Sequence, residues 1–135
     1  VSERIESFEE FWPYYVGEHD DVWTRRLHLA GTTAALGTLA YALLKRRPAL
    51  VPLALVAGYG PAWVSHFFIE KNRPATFTYP AWSLAADFVM AAKMLTGQMD
   101  AEVARVRAAK AERAAAASAP AAPPDPPAAD ARDLN

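Results

Sequence analysis

The sequence predicts an all-α fold organised as a membrane helical hairpin, and three observations lead there. Residues 27–44 and residues 49–69 contain no Asp, Glu, Lys or Arg. A bilayer core takes roughly 20 apolar residues per helix, so each run is of spanning length, the first at the short end. Only Lys45-Arg46-Arg47-Pro48 separates the two long runs, a link too short for anything but an antiparallel hairpin. With 135 residues, 53% of them apolar, there is room for one domain with a modest core. The competing reading is a buried helical hairpin of a soluble protein.

In chain order, residues 1–18 read as an amphipathic helix. Ile5, Phe8, Phe11, Trp12 and Tyr15 recur at helical spacing among Glu3, Glu6, Glu9 and Glu10. Ser7 with Glu10 fits a capping box, and Pro13 should kink or end the helix. Residues 17–26 form a polar connection in which Trp23, Arg25 and Arg26 suit a membrane interface. The first apolar run carries Gly31, Thr32, Thr33, Ala34, Ala35, Gly37 and Thr38, a small-residue surface that lets helices approach closely. The second has Pro52 in its first turn, where proline is tolerated. Gly58, Gly60 and Pro61 in its middle predict a kink or an opened backbone.

Residues 81–95 predict a third helix, too short to span alone, lying at the interface or re-entering partway. Gly97 ends it. Residues 98–117 predict an Ala-rich helix of mixed charge, and residues 118–135 an Ala/Pro-rich tail that cannot bury enough surface to fold alone. The expected organisation is therefore a membrane-embedded domain over 1–97, then that helix over 98–117, then the tail over 118–135. There is no cysteine, which excludes disulfides and thiolate metal sites, and a net charge of −1 offers nucleic acid no basic footprint.

The chain has 3 histidines: His19, His28 and His66. Folding the apolar runs about the cationic turn places His28 about 27 Å and His66 about 28 Å from it along the two helices. His19 precedes the first run on the same side, so all of them gather opposite the turn. Glu70, one helical turn after His66, and Asp87, if the third helix folds back, can join them as ligands or as groups that orient an imidazole. Imidazole and carboxylate without sulfur suit iron, zinc, manganese or copper. Lys71 and Arg73 arrive where the second run stops. Pro74 holds Arg73 extended, so its guanidinium is placed to grip a carboxylate. Tyr59 and Trp63 share a helix face with His66 and Glu70 and would line a cavity leading there.

Two blocks carry a resemblance. The first is Phe11-Trp12-Pro13-Tyr14-Tyr15, Glu18-His19, Arg25-Arg26-Leu27-His28 and Gly31. The second is Gly58-Tyr59-Gly60, Ala62-Trp63, His66-Phe67-Phe68, Glu70-Lys71-Asn72-Arg73-Pro74-Ala75-Thr76-Phe77, Tyr79-Pro80, Ser83-Leu84 and Asp87. Together they resemble a small membrane-protein family, formerly a domain of unknown function, whose fungal member is a 2-hydroxy fatty acid dioxygenase of α-oxidation. The resemblance covers roughly residues 8–97.

It implies Fe(II) held by His19, His28 and His66, with a long-chain 2-hydroxy fatty acid and dioxygen as substrates and no 2-oxoglutarate. The fatty acid would lose one carbon. Arg73 or Lys71 would neutralise its carboxylate, Glu70 or Asp87 would orient a histidine, and the acyl chain would run between the helices among membrane lipid. Two alternatives of other classes stand beside it. One is an accessory subunit of a larger membrane complex, with the C-terminal tail holding a protein partner. The other is a Zn-bound lipid hydrolase. The count of Lys and Arg beside the two ends leans toward a cytoplasmic histidine side.

Overall fold

A computed structural model describes residues 4–119, and these are helical with no strand. The N-terminal helix α1 spans Phe8–Gly17. Ser7 caps it: its Oγ accepts the Glu10 N–H at 3.2 Å. The reciprocal half of the expected box is missing, since the Glu10 carboxylate turns to the Glu6 N–H instead. The helix runs through Pro13 for another turn, so the proline neither ends it nor keeps its aromatic face from packing. Residues 4–6 precede the helix; residues 1–3 of the expected segment, and the tail from 120 onward, lie outside the described residues.

Helix α2 spans Val22–Leu44, five residues earlier than the apolar run suggested. Asp21 explains the early start, because its carboxylate accepts the Trp23 N–H at 2.7 Å and caps a helix whose first turn is polar. A turn with Arg46 at φ 51° and a 3-10 turn over Pro48–Leu50 lead into α3, Val51–Ser65. Helices α2 and α3 form the most extensive interface in the fold. They pack closely at Gly31, where a Cβ would lie 2.7 Å from the Gly58 carbonyl oxygen. The helix continues past Gly58, Gly60 and Pro61. The irregularity expected there falls instead at its end, as a π turn over His66–Glu70.

The outward faces of this hairpin are apolar. Leu43, Leu44, Leu53, Leu55, Val56, Val64 and Phe68 are exposed. Each long helix, Val22–Leu44 and Pro48–Glu70, is long and apolar enough to cross a membrane, and only 17% of its apolar window is buried within the protein. The central hairpin of a soluble α protein would be mostly buried. An apolar surface of this extent marks a face that a membrane or another protein covers.

Helix α4, Pro80–Leu95, lies between α1 and the hairpin, and α5, Met99–Ser118, packs beside α1 and α4. Phe11, Tyr15 and Val16 of α1 meet Ala86 and Met90 of α4, Met99 and Val103 of α5, and Ala75 from the preceding loop. Each large side chain buried in this way contributes roughly 1.5–3 kcal/mol. The core of the molecule therefore sits at the histidine end of the hairpin and roofs it.

Candidate metal centre

Each histidine comes from a different segment: His19 from the α1–α2 connection, His28 from the second turn of α2, and His66 from the end of α3. All are buried, at 1%, 5% and 2% exposure. Their ring centroids lie 4.4, 4.5 and 5.2 Å apart, with the planes close to perpendicular.

The partners on Nδ1 decide what the rings can do. His19 Nδ1 lies 2.7 Å from the Tyr15 carbonyl oxygen, His28 Nδ1 2.9 Å from an Asp87 carboxylate oxygen, and His66 Nδ1 2.7 Å from Asn72 Oδ1. The Asn72 amide is oriented by its Nδ2, which donates to the Glu18 carbonyl and to the Glu18 carboxylate at 2.7 Å. Every one of these oxygens accepts, so every Nδ1 carries the hydrogen and leaves a lone pair on Nε2. The ligand atoms of the three residues lie within 4.8 Å of one another. His19 Nε2 and His28 Nε2 are 3.2 Å apart. Two nitrogens bound to one ion at about 2.0–2.1 Å stand at a similar separation in tetrahedral or octahedral geometry. The cavity they line is about 10 Å³, roughly the size of one water. Donor type, tautomer, spacing and space therefore fit a metal ion held by three neutral imidazoles.

Local sequence builds this arrangement. In the π turn after α3, the His66 carbonyl accepts the N–H of both Lys71 and Asn72. Lys71 adopts φ 55°, which folds Asn72 back beneath His66. Arg25 is buried, and its guanidinium donates to the His19 and Asp20 carbonyls at 2.9 and 2.7 Å. It fixes the connection that carries His19 rather than anchoring the chain at an interface; Arg26 lies over the Trp23 ring instead. Tyr15 stacks on His19 at 3.9 Å and its hydroxyl donates to Asp87. Burial, then the neighbouring His28 and His66, hold the His19 imidazole well below the ordinary histidine range, so it is neutral at pH 7. Burial and the Asp87 charge push the Tyr15 phenol well up, so it stays a donor.

The family described as 2-hydroxy-palmitic acid dioxygenase Mpo1-like matches residues 5–99. The chain belongs to the Mpo1-like family. Nothing matches among curated proteins or among solved structures. The Mpo1-like match takes in every residue of the histidine cluster and of its hydrogen-bond partners, and ends at the first residue of α5.

Among the other residues singled out in this Mpo1-like chain, Asp87 sits at the cluster, bridging His28 and Tyr15. Glu70 does not hydrogen-bond a histidine; its Oε1 accepts the Asp21 N–H at 2.8 Å and ties the end of α3 to the start of α2. Lys71 and Arg73 are exposed, and the Arg73 guanidinium lies 5.2 Å from the Phe77 ring centre. From their loop, Pro74, Ala75 and Thr76 reach the cavity wall, which also includes Tyr59 and Trp63. Asn72, Tyr15, Arg25 and Ser83 were not assigned from the sequence. Asn72 is six residues from His66, no helical period, and only the π turn brings it back. Ser83 lines the cavity with a buried hydroxyl that has no partner among the described residues.

Proposed function

We propose that this Mpo1-like protein is an integral membrane, iron(II)-dependent dioxygenase that shortens long-chain 2-hydroxy fatty acids by one carbon. The observation that carries the reading is the convergence of three Nε2 lone pairs, each fixed by an oxygen acceptor on Nδ1. Iron bound there supplies redox chemistry toward dioxygen and open positions for a 2-hydroxy carboxylate.

The chain does the rest. Asp87 holds His28 in the ligating tautomer and Asn72 does the same for His66. The roof of α1 and α4 keeps water from the cavity. The free Ser83 hydroxyl is available to the polar head of the substrate. The exposed Lys71 and Arg73, in the loop whose Pro74, Ala75 and Thr76 reach the cavity wall, would attract the carboxylate, and Glu70 would set the separation of the helices carrying His28 and His66. The conversion would balance with dioxygen alone: the 2-hydroxy acid and dioxygen would give the fatty acid one carbon shorter, carbon dioxide and water, with no separate reductant. The exposed apolar faces of α2 and α3 support a membrane location for this chemistry, and the cation count supports a cytoplasmic histidine end.

The test is oxygen uptake with 2-hydroxypalmitate by anaerobically purified, iron-loaded protein, with identification of the fatty acid one carbon shorter. Uptake coupled to that product is expected. Iron-free protein that runs only in a large assembly would point instead to an accessory subunit, and zinc with hydrolysis and no oxygen uptake to a lipid hydrolase.

A further inference from the structure

The histidine cavity is not isolated. Tyr59 and Asp87 line it and also line a second, larger cavity, an apolar groove of about 160 Å³ between α2, α3 and α4. We propose that this groove is the alkyl-chain subsite, holding the hydrocarbon tail of the substrate whose polar head lies at the three histidines. The head group's identity rests on the dioxygenase reading; the location of the tail does not.

Four observations argue for it. Polarity falls along the groove: Asp87, engaged by His28 and Tyr15, is at the histidine end, and Leu36, Ala54 and Leu55 lie beyond it. Small residues form its floor: Gly58 and Ala35 both line it where the helices pack closely, a Cβ on Gly58 standing 3.2 Å from the Ala35 Cβ. Leu36, Leu55 and Phe88 are each about half exposed (49%, 58% and 45%), so the groove opens sideways onto the face that lipid would cover. Its length also suits. Ala54 precedes His66 by 12 residues, about 18 Å of helix within a hydrocarbon layer of about 30 Å. A volume of about 160 Å³ takes part of a single alkyl chain, the remainder lying along the open side of the groove, but not a protein helix about 10 Å across. The occupant is therefore a tail that continues from a head group next door.

The experiment uses the full chain in lipid nanodiscs and 2-hydroxypalmitic acid carrying a photoreactive diazirine at its terminal carbon. Cross-links are mapped by peptide mass spectrometry, and oxygen uptake is recorded on the same preparation. Labelling of Leu36, Ala54 or Leu55 that excess unlabelled 2-hydroxypalmitate removes is the expected result. Label confined to α1 or α5, label that competitor does not remove, or equal competition by a phospholipid would overturn the proposal, the last assigning the groove to bulk lipid. Competable label in the groove without oxygen uptake would leave the subsite standing and remove the reaction. Uptake with label elsewhere would do the reverse. As a second line, Ala54→Phe and, at the exposed rim, Leu55→Trp should each lower the ratio of kcat/KM for 2-hydroxypalmitate over that for 2-hydroxyhexanoate by about tenfold. A ratio unchanged in both would refute the assignment.

Discussion

At its histidine end the α2–α3 hairpin carries His28, His66 and Arg25, all buried and all hydrogen-bonded, beneath a packed roof from α1, α4 and α5. At its turn end the same two helices bury only Ala42 and Ala54, while Leu43 and Leu44 stand 71% and 82% exposed. One end is an ordinary protein interior built around polar groups; the other is a bare apolar surface of the kind that marks a membrane or partner-protein face. The difference teaches where each kind of residue is tolerated. Polar side chains are held where the chain itself supplies partners, and apolar ones are left bare where the surroundings do.

The comparison can be broken first at the bare end. Val56 is 66% exposed on α3. On a water-facing helix Val56→Lys would change stability by no more than about 0.5 kcal/mol, but in a bilayer it costs about 3 kcal/mol. A membrane-insertion assay should show the larger penalty, and free tolerance would mean that the hairpin lies in water. At the polar end, Asp87→Ala strands the Tyr15 hydroxyl and the His28 Nδ1–H together. Metal affinity, measured against a competing chelator, should fall by about 100-fold, and by about tenfold for Asn72→Ala, whose acceptor is neutral.

The interface joining the two ends gives the next smaller effect. A side chain at Gly31 meets the Gly58 carbonyl, whereas Gly37 on the same helix has nothing within 4 Å. Gly31→Leu should cost about 1–3 kcal/mol in detergent unfolding, and Gly37→Ala should be neutral or gain up to about 1 kcal/mol. The smallest concerns Glu102. Arg105, the Trp12 indole and Lys93 hold its carboxyl down to about 2. A depressed carboxyl stabilises fully above its unfolded value of about 4.3 and loses that contribution as pH falls through the folded value. Trp12 fluorescence should therefore report loosening of α5 only below about pH 4.3, and Glu102→Gln should remove that acid limb.

Much of this architecture was legible because it follows from counting. Charge-free length gave the hairpin, and equal distances of His28 and His66 from the cationic turn gave their meeting. What stayed hidden depends on backbone detail that periodicity does not encode. The early start of α2 follows from the Asp21 cap, which outweighs a polar first turn. The π turn adds a residue to the last loop of α3, and so turns Asn72 toward His66 while Glu70 goes to Asp21. Arg25 looked like a lipid anchor by composition, yet two carbonyls of the His19 connection claim it. In each case a specific hydrogen bond, most of them local in the chain, decided the outcome.

The decisive measurement is metal content by mass spectrometry of protein purified without oxygen, wild type beside His66→Ala, with circular dichroism showing that both are folded. Three imidazoles presenting Nε2 to one point predict a single ion per wild-type chain and loss of that ion in the variant. Wild-type protein that takes up no metal under saturating iron, or a folded variant that binds as much as wild type, would contradict the account.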